Sequence, residues 1–277
     1  MVEKILYSLF LFILGSAIGS FLNVLIDRLS TNKSITGRSH CDHCQQQIIW
    51  HDLFPIVSFL FLKGKCRFCH KKLSFYYPII EIITGFTFIT TFFIITNHDK
   101  TKMIPDFRLW QSNIPLLIIY LGIFSSLIVI FFADLKYQII PDSMQVALLV
   151  FSLLFQIMSI GLGDNLSLYL FGQWISNGLL VMLPILFLFL ITKGNGMGFG
   201  DVKLSFIIGF FLGLKGGLIA LYLGFIIGAL GGVILILFKR KGLKSKIAFG
   251  PFLVMGMVMV MIWGSQIFEI IHRLYGF

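Results

Sequence analysis

The segment IPLLIIYLGIFSSLIVIFFA, residues 114–133, contains no charged side chain. A hydrocarbon core about 30 Å thick needs roughly 20 residues of helix to cross it, so this segment has the length of one crossing. Its apolar residues do not alternate with polar ones, as the strands of a membrane β-barrel require. We therefore predict that residues 114–133 form a transmembrane α-helix.

Similar segments recur along the chain and predict an all-α membrane protein. Only 12% of its residues are charged, against about 25% in a soluble domain. This composition excludes a soluble enzyme, a disordered chain and a disulfide-rich secreted scaffold. We predict a polytopic helical bundle of about eight spans: 5–26, 75–96, 114–133, 143–161, 173–192, 204–214, 217–238 and 249–271. The sixth and seventh spans are divided only at residues 215–217.

Basic residues indicate on which side of the membrane each loop lies. Sixteen of the 22 Lys and Arg fall on one side of the eight spans, with eight in residues 27–74 and five in residues 239–246. Because cytosolic loops carry the excess of basic residues, this side is predicted to be cytosolic and both termini to lie outside. The net charge of +10 comes from short clusters between apolar runs rather than from a basic nucleic-acid-binding face. We therefore predict the lipid bilayer as a partner and no nucleic-acid partner.

The loop between the first two spans, residues 27–74, contains all four cysteines of the chain, as Cys41-x-x-Cys44 and Cys66-x-x-Cys69. Each pair can bind a metal ion through two thiolates, and two pairs complete the tetrahedral shell of Zn²⁺. Four thiolates leave no open position for a reacting water, so the metal would be structural. We predict a small zinc-knuckle-like domain with Cys41, Cys44, Cys66 and Cys69 as ligands.

Several alternatives to this metal site remain at the level of sequence. The cysteines could be free thiols or a redox dithiol, and His40, His43 or His70 could replace a thiolate. A cytosolic location argues against disulfides. The predicted organisation is a first span at 1–26, a cytosolic four-cysteine loop domain at 27–74 and a membrane domain of about seven spans at 75–277.

Four acidic residues lie inside or at the mouth of an apolar span, where an ionisable group is costly and is by default a functional candidate. They are Glu81, Asp134, Asp142 and Asp201. Asp134 ends the third span and Asp201 opens the sixth, both at the predicted cytosolic boundary. Two such carboxylates can share a proton, so that one activates a water and the other protonates the leaving amine. This is the chemistry of an aspartyl protease.

Asp201 and Asp134 each have an alternative interpretation. Asp201 follows a run of glycines, which let the backbone open at membrane depth and approach a substrate closely. The same pattern also fits a flexible linker with Asp201 as a helix cap. Asp142 is the rival of Asp134, although Pro141-Asp142 before an apolar run favours the start of a helix. The glycines are Gly194, Gly196, Gly198 and Gly200.

Six segments, in this order, resemble the type IV prepilin peptidases, the bifunctional leader peptidase/N-methyltransferases of pilus, type II secretion and competence systems. The resemblance covers nearly the whole chain. The segments are GSFLNVLIDRLS (19–30), GRSHCDHC (37–44), PIVSFLFLKGKCRFC (55–69), LSFYYPIIEIITG (73–85), ADLKYQIIPD (133–142) and GFGDVKL (198–204).

The resemblance implies an enzyme of the bacterial inner membrane. Such enzymes cut the basic leader of prepilins and pseudopilins after a glycine, at the cytosolic face, and the two catalytic aspartates of the family map onto Asp134 and Asp201. They then methylate the new N-terminal residue, usually Phe, with S-adenosylmethionine. The cysteine loop belongs to the methyltransferase-bearing forms, and because both Cys pairs are intact here, the resemblance implies both activities.

Two other functions remain open. One is proteolysis without methyl transfer, since residues 27–74 lack the strand and Gly-rich turn of a Rossmann-type methyltransferase. If methyl transfer does occur, Glu81 could hold the amine of the methyl donor or of the new N-terminus; otherwise it could pair with a basic loop residue. The other function is proton-coupled transport, which would place carboxylates near mid-membrane between inverted repeats. The candidate carboxylates instead cluster at one face.

Overall fold

The structure is a computed structural model that describes residues 2–31, 33–41, 43–96, 114–159, 168–194, 196–237 and 248–275. Within these ranges the only β pairing is two isolated bridges, which confirms the predicted all-α class. The basic segment 239–246 lies outside the described residues. The helices are α1 (Val2–Ser30), α2 (Val57–Phe61), α3 (Tyr76–Thr96), α4 (Ile114–Tyr137), α5 (Asp142–Ser159), α6 (Leu168–Ile191), α7 (Phe199–Leu237) and α8 (Gly250–Tyr275), with a 3₁₀ turn at Trp50–Leu53.

Seven helices in the described part of the chain are long and apolar enough to cross a membrane, namely α1 and α3 to α8. This number is one fewer than the eight spans predicted from the sequence. The difference lies in α7, a helix of 39 residues that contains both the sixth and the seventh predicted span.

α7 turns back on itself at Gly213, where φ is 73° and ψ is 178°. A Cβ placed on Gly217 would lie 3.0 Å from the Cα of Gly209. Eight residues of straight helix would separate these positions by about 12 Å along the axis, so the two arms of α7 pack against each other. The break predicted at residues 215–217 was therefore wrong in position: the positive φ needs a residue without a Cβ, and Gly213 supplies it.

Neighbouring helices fix this bend. The interruption deprives the preceding turn of helical donors for its carbonyl groups. Gln156 of α5 supplies donors, because its Nε2 lies 2.9 Å from the carbonyl oxygen of Phe210 and 3.2 Å from that of Phe211. On the other side, Val181 of α6 contacts both arms, since a Cβ on Gly209 or Gly217 would lie 2.6 or 2.7 Å from its side chain.

The chain forms two compact units, Met1–Thr96 and Asn97–Phe277. In the first unit, α1 and α3 approach each other closely at small residues. A Cβ on Gly15 would lie 2.9 Å from the Cα of Gly85, and one on Gly19 would lie 2.8 Å from the Cα of Glu81. Small residues four positions apart are typical of tight helix pairs in membranes. The proposed division at residues 26/27 and 74/75 stays a prediction.

The second unit is built around α4. Two thirds of the residues in the most apolar stretch of α4 are buried inside the protein. In the corresponding stretches of α5 to α8 the buried share is 17–28%. Residues 114–133, predicted to be a transmembrane helix, therefore lie in the central helix of this unit. Because Asp134 lies in the last turn of α4, the fold carries its carboxylate into a protein-lined interior rather than into lipid.

Candidate active site

Asp134 is buried at the end of α4, with 5% of its surface exposed. Its Oδ2 accepts a hydrogen bond of 2.9 Å from the backbone N–H of Gly250, the first residue of α8. The first N–H groups of a helix have no intrahelical acceptor. The start of α8 thus supplies a fixed donor that orients one oxygen of the Asp134 carboxylate.

Asp201 is buried in the first turn of α7, with 7% of its surface exposed. Its Oδ2 accepts the backbone N–H of Gly198 at 3.0 Å, and its own N–H donates to the carbonyl oxygen of Gly198 at 3.1 Å. A carboxylate at the third helical position that reaches back to the residue before the helix resembles one half of a capping box. Asp201 thus makes the capping contact that the alternative interpretation requires, through one of its two oxygens.

The structure brings Asp134 and Asp201 together at one end of the second unit. Ile140, in the turn after α4, contacts the backbone beside each of them: a Cβ on Gly200 would lie 3.1 Å from its Cβ, and one on Gly250 would lie 3.0 Å from its Cδ1. The two carboxylates are near enough for their charges to interact directly. The arrangement is therefore a buried carboxylate pair in which a glycine N–H fixes one oxygen of each member.

Asp142, the rival of Asp134, has a different environment. It is the first residue of α5, its side chain is 73% exposed, and its Oδ1 lies 2.8 Å from Nζ of Lys203. The same Nζ lies 5.3 Å from the centre of the Phe199 ring. Asp142 is thus an exposed ion-pair partner at a helix start rather than a member of the buried pair.

Two residues of this site were missed in the sequence analysis, Gly250 and Gln145. Gln145 of α5 is buried, its Nε2 donates to the carbonyl oxygen of Gly200 at 3.0 Å, and its Oε1 is buried without a hydrogen-bond partner. Pro251 was an available signal for Gly250, because proline favours the first turn of a helix. A single Gln in an apolar span gives no comparable signal for where its amide lies.

The first unit brings the four cysteines together, as expected for a metal site. Their sulfur atoms all lie within 4.8 Å of one another, with Cys41 and Cys69 at 3.9 Å and Cys44 and Cys66 at 4.0 Å. A tetrahedral zinc ion with Zn–S bonds of about 2.3 Å separates its sulfurs by about 3.8 Å. The cysteines are free thiols, so the donor set fits Zn²⁺. His40, His43 and His70 do not belong to the cluster.

The two CxxC turns have the same backbone structure. In the first, the N–H of Cys41 donates to the carbonyl oxygen of Gln46 at 3.0 Å, and the N–H of Gln45 donates to that of Cys41 at 2.9 Å. The second turn repeats both bonds from Cys66 and His70, and Gln45 and His70 both have a positive φ, of 55° and 53°. Backbone N–H groups hydrogen-bonded to the sulfur lower the pKa of the Cys66 thiol to about 7.

An ion pair between the exposed Arg67 and the shielded Asp52 connects the second CxxC turn with the 3₁₀ turn. Arg67 donates through Nε to Oδ2 of Asp52 at 2.8 Å and through Nη2 to Oδ1 at 2.5 Å. The Asp52 side chain is only 8% exposed. The bidentate guanidinium holds the pKa of Asp52 below its usual value, so the pair stays intact at neutral pH and is lost as the pH falls through that lowered pKa.

Glu81 is buried in the second turn of α3, and its Oε2 accepts the backbone N–H of Ile56 at 2.7 Å. Its carboxylate also accepts a hydrogen bond from Ser20. Ile56 has φ 60° and ψ −50°, and Val57 N–H donates to the carbonyl oxygen of Pro55, which defines a strained γ-turn. Among the ion pairs between described residues, none includes Glu81.

Comparison with protein families divides the chain into two matched segments. Residues 13–95 match the Bacterial Peptidase A24 N-terminal domain, and residues 121–233 match the Type IV leader peptidase family. These segments contain the cysteine cluster and the carboxylate pair, respectively. No solved structure matches the chain.

Curated relatives match the chain over nearly its whole length. The Bacillus subtilis (strain 168) protein is 30% identical over 260 residues, which cover 93% of this chain and 94% of the relative. The Aeromonas hydrophila protein is 29% identical over 95% of this chain and 92% of its own length. Both are named prepilin leader peptidase/N-methyltransferase. With seven apolar helices among its described residues, the protein is a multi-pass inner-membrane protein, and it belongs to the type IV leader peptidase family.

Proposed function

We propose that this protein is a membrane aspartyl endopeptidase that removes the basic leader of prepilin-like and pseudopilin-like substrates after a glycine, at the cytosolic face, and then methylates the new N-terminal residue. The observation that carries the peptidase activity is the buried pair Asp134 and Asp201, in which a glycine N–H fixes one oxygen of each carboxylate. The family relationship supports both activities.

The carboxylate pair can hydrolyse a peptide bond without a metal ion or a covalent intermediate. The ionised member of the pair removes a proton from a water as its oxygen attacks the scissile carbonyl carbon. The protonated member gives its proton to the leaving nitrogen as the C–N bond breaks. The two bonds from Gly250 and Gly198 orient Oδ2 of each aspartate. Oδ1 of each is then the oxygen available for proton transfer, to the leaving nitrogen from the protonated member and from water to the ionised one.

We propose that both termini lie outside and that residues 27–74 are cytosolic. The charge distribution supports this orientation, since sixteen of the 22 Lys and Arg fall on that side. The structure of α7 is consistent with it: Asp201 near its start and Gly250 at the start of α8 both lie beside Asp134. α7 must therefore cross and return between them, and the bend at Gly213 provides that reversal.

The methyl donor is proposed to be S-adenosylmethionine, which supplies an electrophilic methyl group and carries an ammonium group. In the first unit, two buried acceptors on the facing surfaces of α1 and α3 fit such a cation. They are the Glu81 carboxylate and Oδ1 of Asn23, which is buried without a hydrogen-bond partner. We propose that Glu81 and Asn23 hold the ammonium group of the donor.

Zinc is proposed to bind the four cysteines and to act as a structural ion. Sulfur separations of 3.9 and 4.0 Å support this assignment. The two CxxC turns are short, and their only β pairing among the described residues is two isolated bridges. So little structure needs a cross-link such as a metal ion to be stable. Cys41, Cys44, Cys66 and Cys69 would hold the ion, and the cytosolic four-cysteine domain would fold around it.

The alternatives differ in what supports them. Proteolysis without methylation keeps the Asp134–Asp201 pair and differs only in the first unit. Proton-coupled transport has less support, because the buried pair lies at the ends of α4 and α7 rather than at the middle of a span. The product of the reaction distinguishes all three functions.

The function is tested by incubating the purified protein in nanodiscs with a prepilin-like peptide that has a basic leader, Gly and then Phe. We expect two fragments from cleavage after the glycine. With S-adenosylmethionine added, mass spectrometry should find the Phe-terminal fragment about 14 Da heavier. Cleaved but unmethylated product would support the peptidase alone. An uncut peptide, in preparations that retain zinc, would contradict the proposed function.

Gly250→Ala is expected to lower the rate of cleavage by about 10²-fold, since displacing a reacting group by about 1 Å has an effect of this size. The added Cβ would lie 2.7 Å from Oδ2 of Asp134 and 3.0 Å from Cδ1 of Ile140. Gly172→Ala is the matched control, because a Cβ there would meet no atom within 4 Å. Equal rates for the two variants would contradict the role given to the Gly250–Asp134 contact.

A further inference from the structure

Several large apolar side chains outside the spanning helices are exposed. They surround the 3₁₀ turn and the short helix α2, and each is between 51% and 84% exposed. We refer to them together as the 50–61 face, and its members are Trp50, Phe54, Val57, Leu60 and Phe61. Trp50 and Phe54 have their ring centroids 6.0 Å apart, so they form one patch. An apolar surface of this kind in a domain otherwise exposed to water indicates a binding partner.

A buried contact fixes the height of this face along α3. The N–H of Ile56, immediately before α2, lies 2.7 Å from Oε2 of Glu81. Glu81 is five residues beyond the start of α3, which is about 7.5 Å along the helix axis. α2 therefore lies beside the first turns of a membrane-spanning helix and not above its end. The strained γ-turn at Ile56 is a further constraint on this position.

The charge around the face is positive. Five exposed basic residues follow α2, namely Lys63, Lys65, Arg67, Lys71 and Lys72. Asp52 is the acidic residue of this segment, and it is already paired with Arg67. Aromatic and aliphatic side chains beside lysines are typical of surfaces that lie in the headgroup region of a bilayer. The inner leaflet supplies anionic headgroups that complement such lysines.

We propose that the 50–61 face inserts into the headgroup region of the leaflet from which α1 and α3 emerge, and that the neighbouring lysines bind anionic phospholipid. The inference uses the cytosolic location of residues 27–74 given in the proposed function. A bilayer is favoured over a protein partner because the loop enters a spanning helix at both ends, α1 and α3, and is held beside α3 by Glu81. These contacts keep the face at the membrane surface whether or not a substrate is present.

Trp50 is a natural probe of this face. The full-length protein and its Trp50→Phe variant are placed in nanodiscs of phosphatidylglycerol, and the difference of their emission spectra isolates the Trp50 signal. We expect this difference spectrum to be blue-shifted, to be quenched by lipids brominated near the carbonyl end of the acyl chain, and to resist quenching by aqueous iodide. Nanodiscs of phosphatidylcholine should give weaker lipid quenching, because the anionic headgroups are absent.

Two comparisons make the result decisive. Trp263 of α8 is 49% exposed within a spanning helix, so the Trp263→Phe difference spectrum is the positive control for lipid contact. Leu60→Glu together with Phe61→Glu should reduce lipid quenching of Trp50 without loss of zinc, since both side chains are exposed and neither belongs to the sulfur cluster. If a variant still binds zinc, its four-cysteine domain is still folded.

Three results would overturn the proposal. In the first, Trp50 is quenched by iodide and not by brominated lipid. In the second, the blue shift of Trp50 emission occurs only after a prepilin-like peptide is added, which would make the face a protein-binding site. In the third, quenching of Trp50 is unchanged by the two glutamates. Cleavage measured on the same nanodiscs keeps the proposed function separate, because a protein that cuts its substrate can still fail each of these tests.

Discussion

Asp201→Asn is expected to lower the rate of prepilin cleavage by at least about 10³-fold, the contribution of a positioned acid–base group. The asparagine side chain can still accept the N–H of Gly198 through its amide oxygen, so the cap of α7 is retained. What it cannot do is accept a proton from water or give one to the leaving nitrogen. The loss should therefore be in kcat, with KM for the peptide little changed.

The same loss is expected for Asp134→Asn, because the two carboxylates act as one unit in the proposed mechanism. Asp134 keeps its oxygen toward the N–H of Gly250 in either form. Residues that act together give strongly non-additive effects, so the double variant should cleave no more slowly than either single variant. Rates are measured by mass spectrometry of the product, and thermal unfolding in the same nanodiscs checks that each variant is folded.

Asp142→Asn is the matched control for both substitutions. It makes the same chemical change within the same unit, but at an exposed side chain that pairs with Lys203. Exposed ion pairs contribute about 0–1 kcal/mol, so cleavage should stay close to the wild-type rate. Loss of cleavage in Asp142→Asn with activity retained in Asp134→Asn would transfer the catalytic role to Asp142.

Much of this site could be predicted because charge is so costly in lipid. An Asp in an apolar span must be buried in protein, and the end of α4 and the start of α7 were the places where the sequence puts one. The four cysteines were predictable for a related reason, since ligand spacing is a local property of the chain. The 3.9 and 4.0 Å sulfur separations agree with that spacing.

The remaining features depend on contacts between distant segments. Gly250 is over a hundred residues from Asp134, and its role appears only when the start of α8 meets the end of α4. The reversal in α7 was expected near Lys215, a charged residue. It occurs instead at Gly213, because the bend needs a positive φ and glycine adopts one without strain. Glu81 was expected to bind an amine or a basic side chain, and its carboxylate accepts the N–H of Ile56 across the loop. None of these pairings leaves a periodic signal in the sequence.

Removing the metal is expected to unfold the cysteine domain. A structural zinc site contributes about 10–16 kcal/mol of apparent binding free energy, more than the two isolated β-bridges and the Asp52–Arg67 pair could supply. Cys41→Ser or Cys66→Ser should reduce bound zinc from about one ion per chain to none. Trypsin should then cut quickly at the basic residues of the loop, which metal analysis and peptide mapping would detect.

The two activities should respond differently to this loss. The carboxylate pair is formed entirely by the second unit, whereas the proposed donor-binding residues Glu81 and Asn23 belong to the first. Methylation should therefore fall more than cleavage in Cys66→Ser. His43→Ala is the matched control: His43 adjoins Cys44 but does not belong to the sulfur cluster, so zinc and both activities should be retained. If His43→Ala lost the ion while Cys66→Ser kept it, the ligand set would include a histidine, and the four-thiolate site would have to be abandoned.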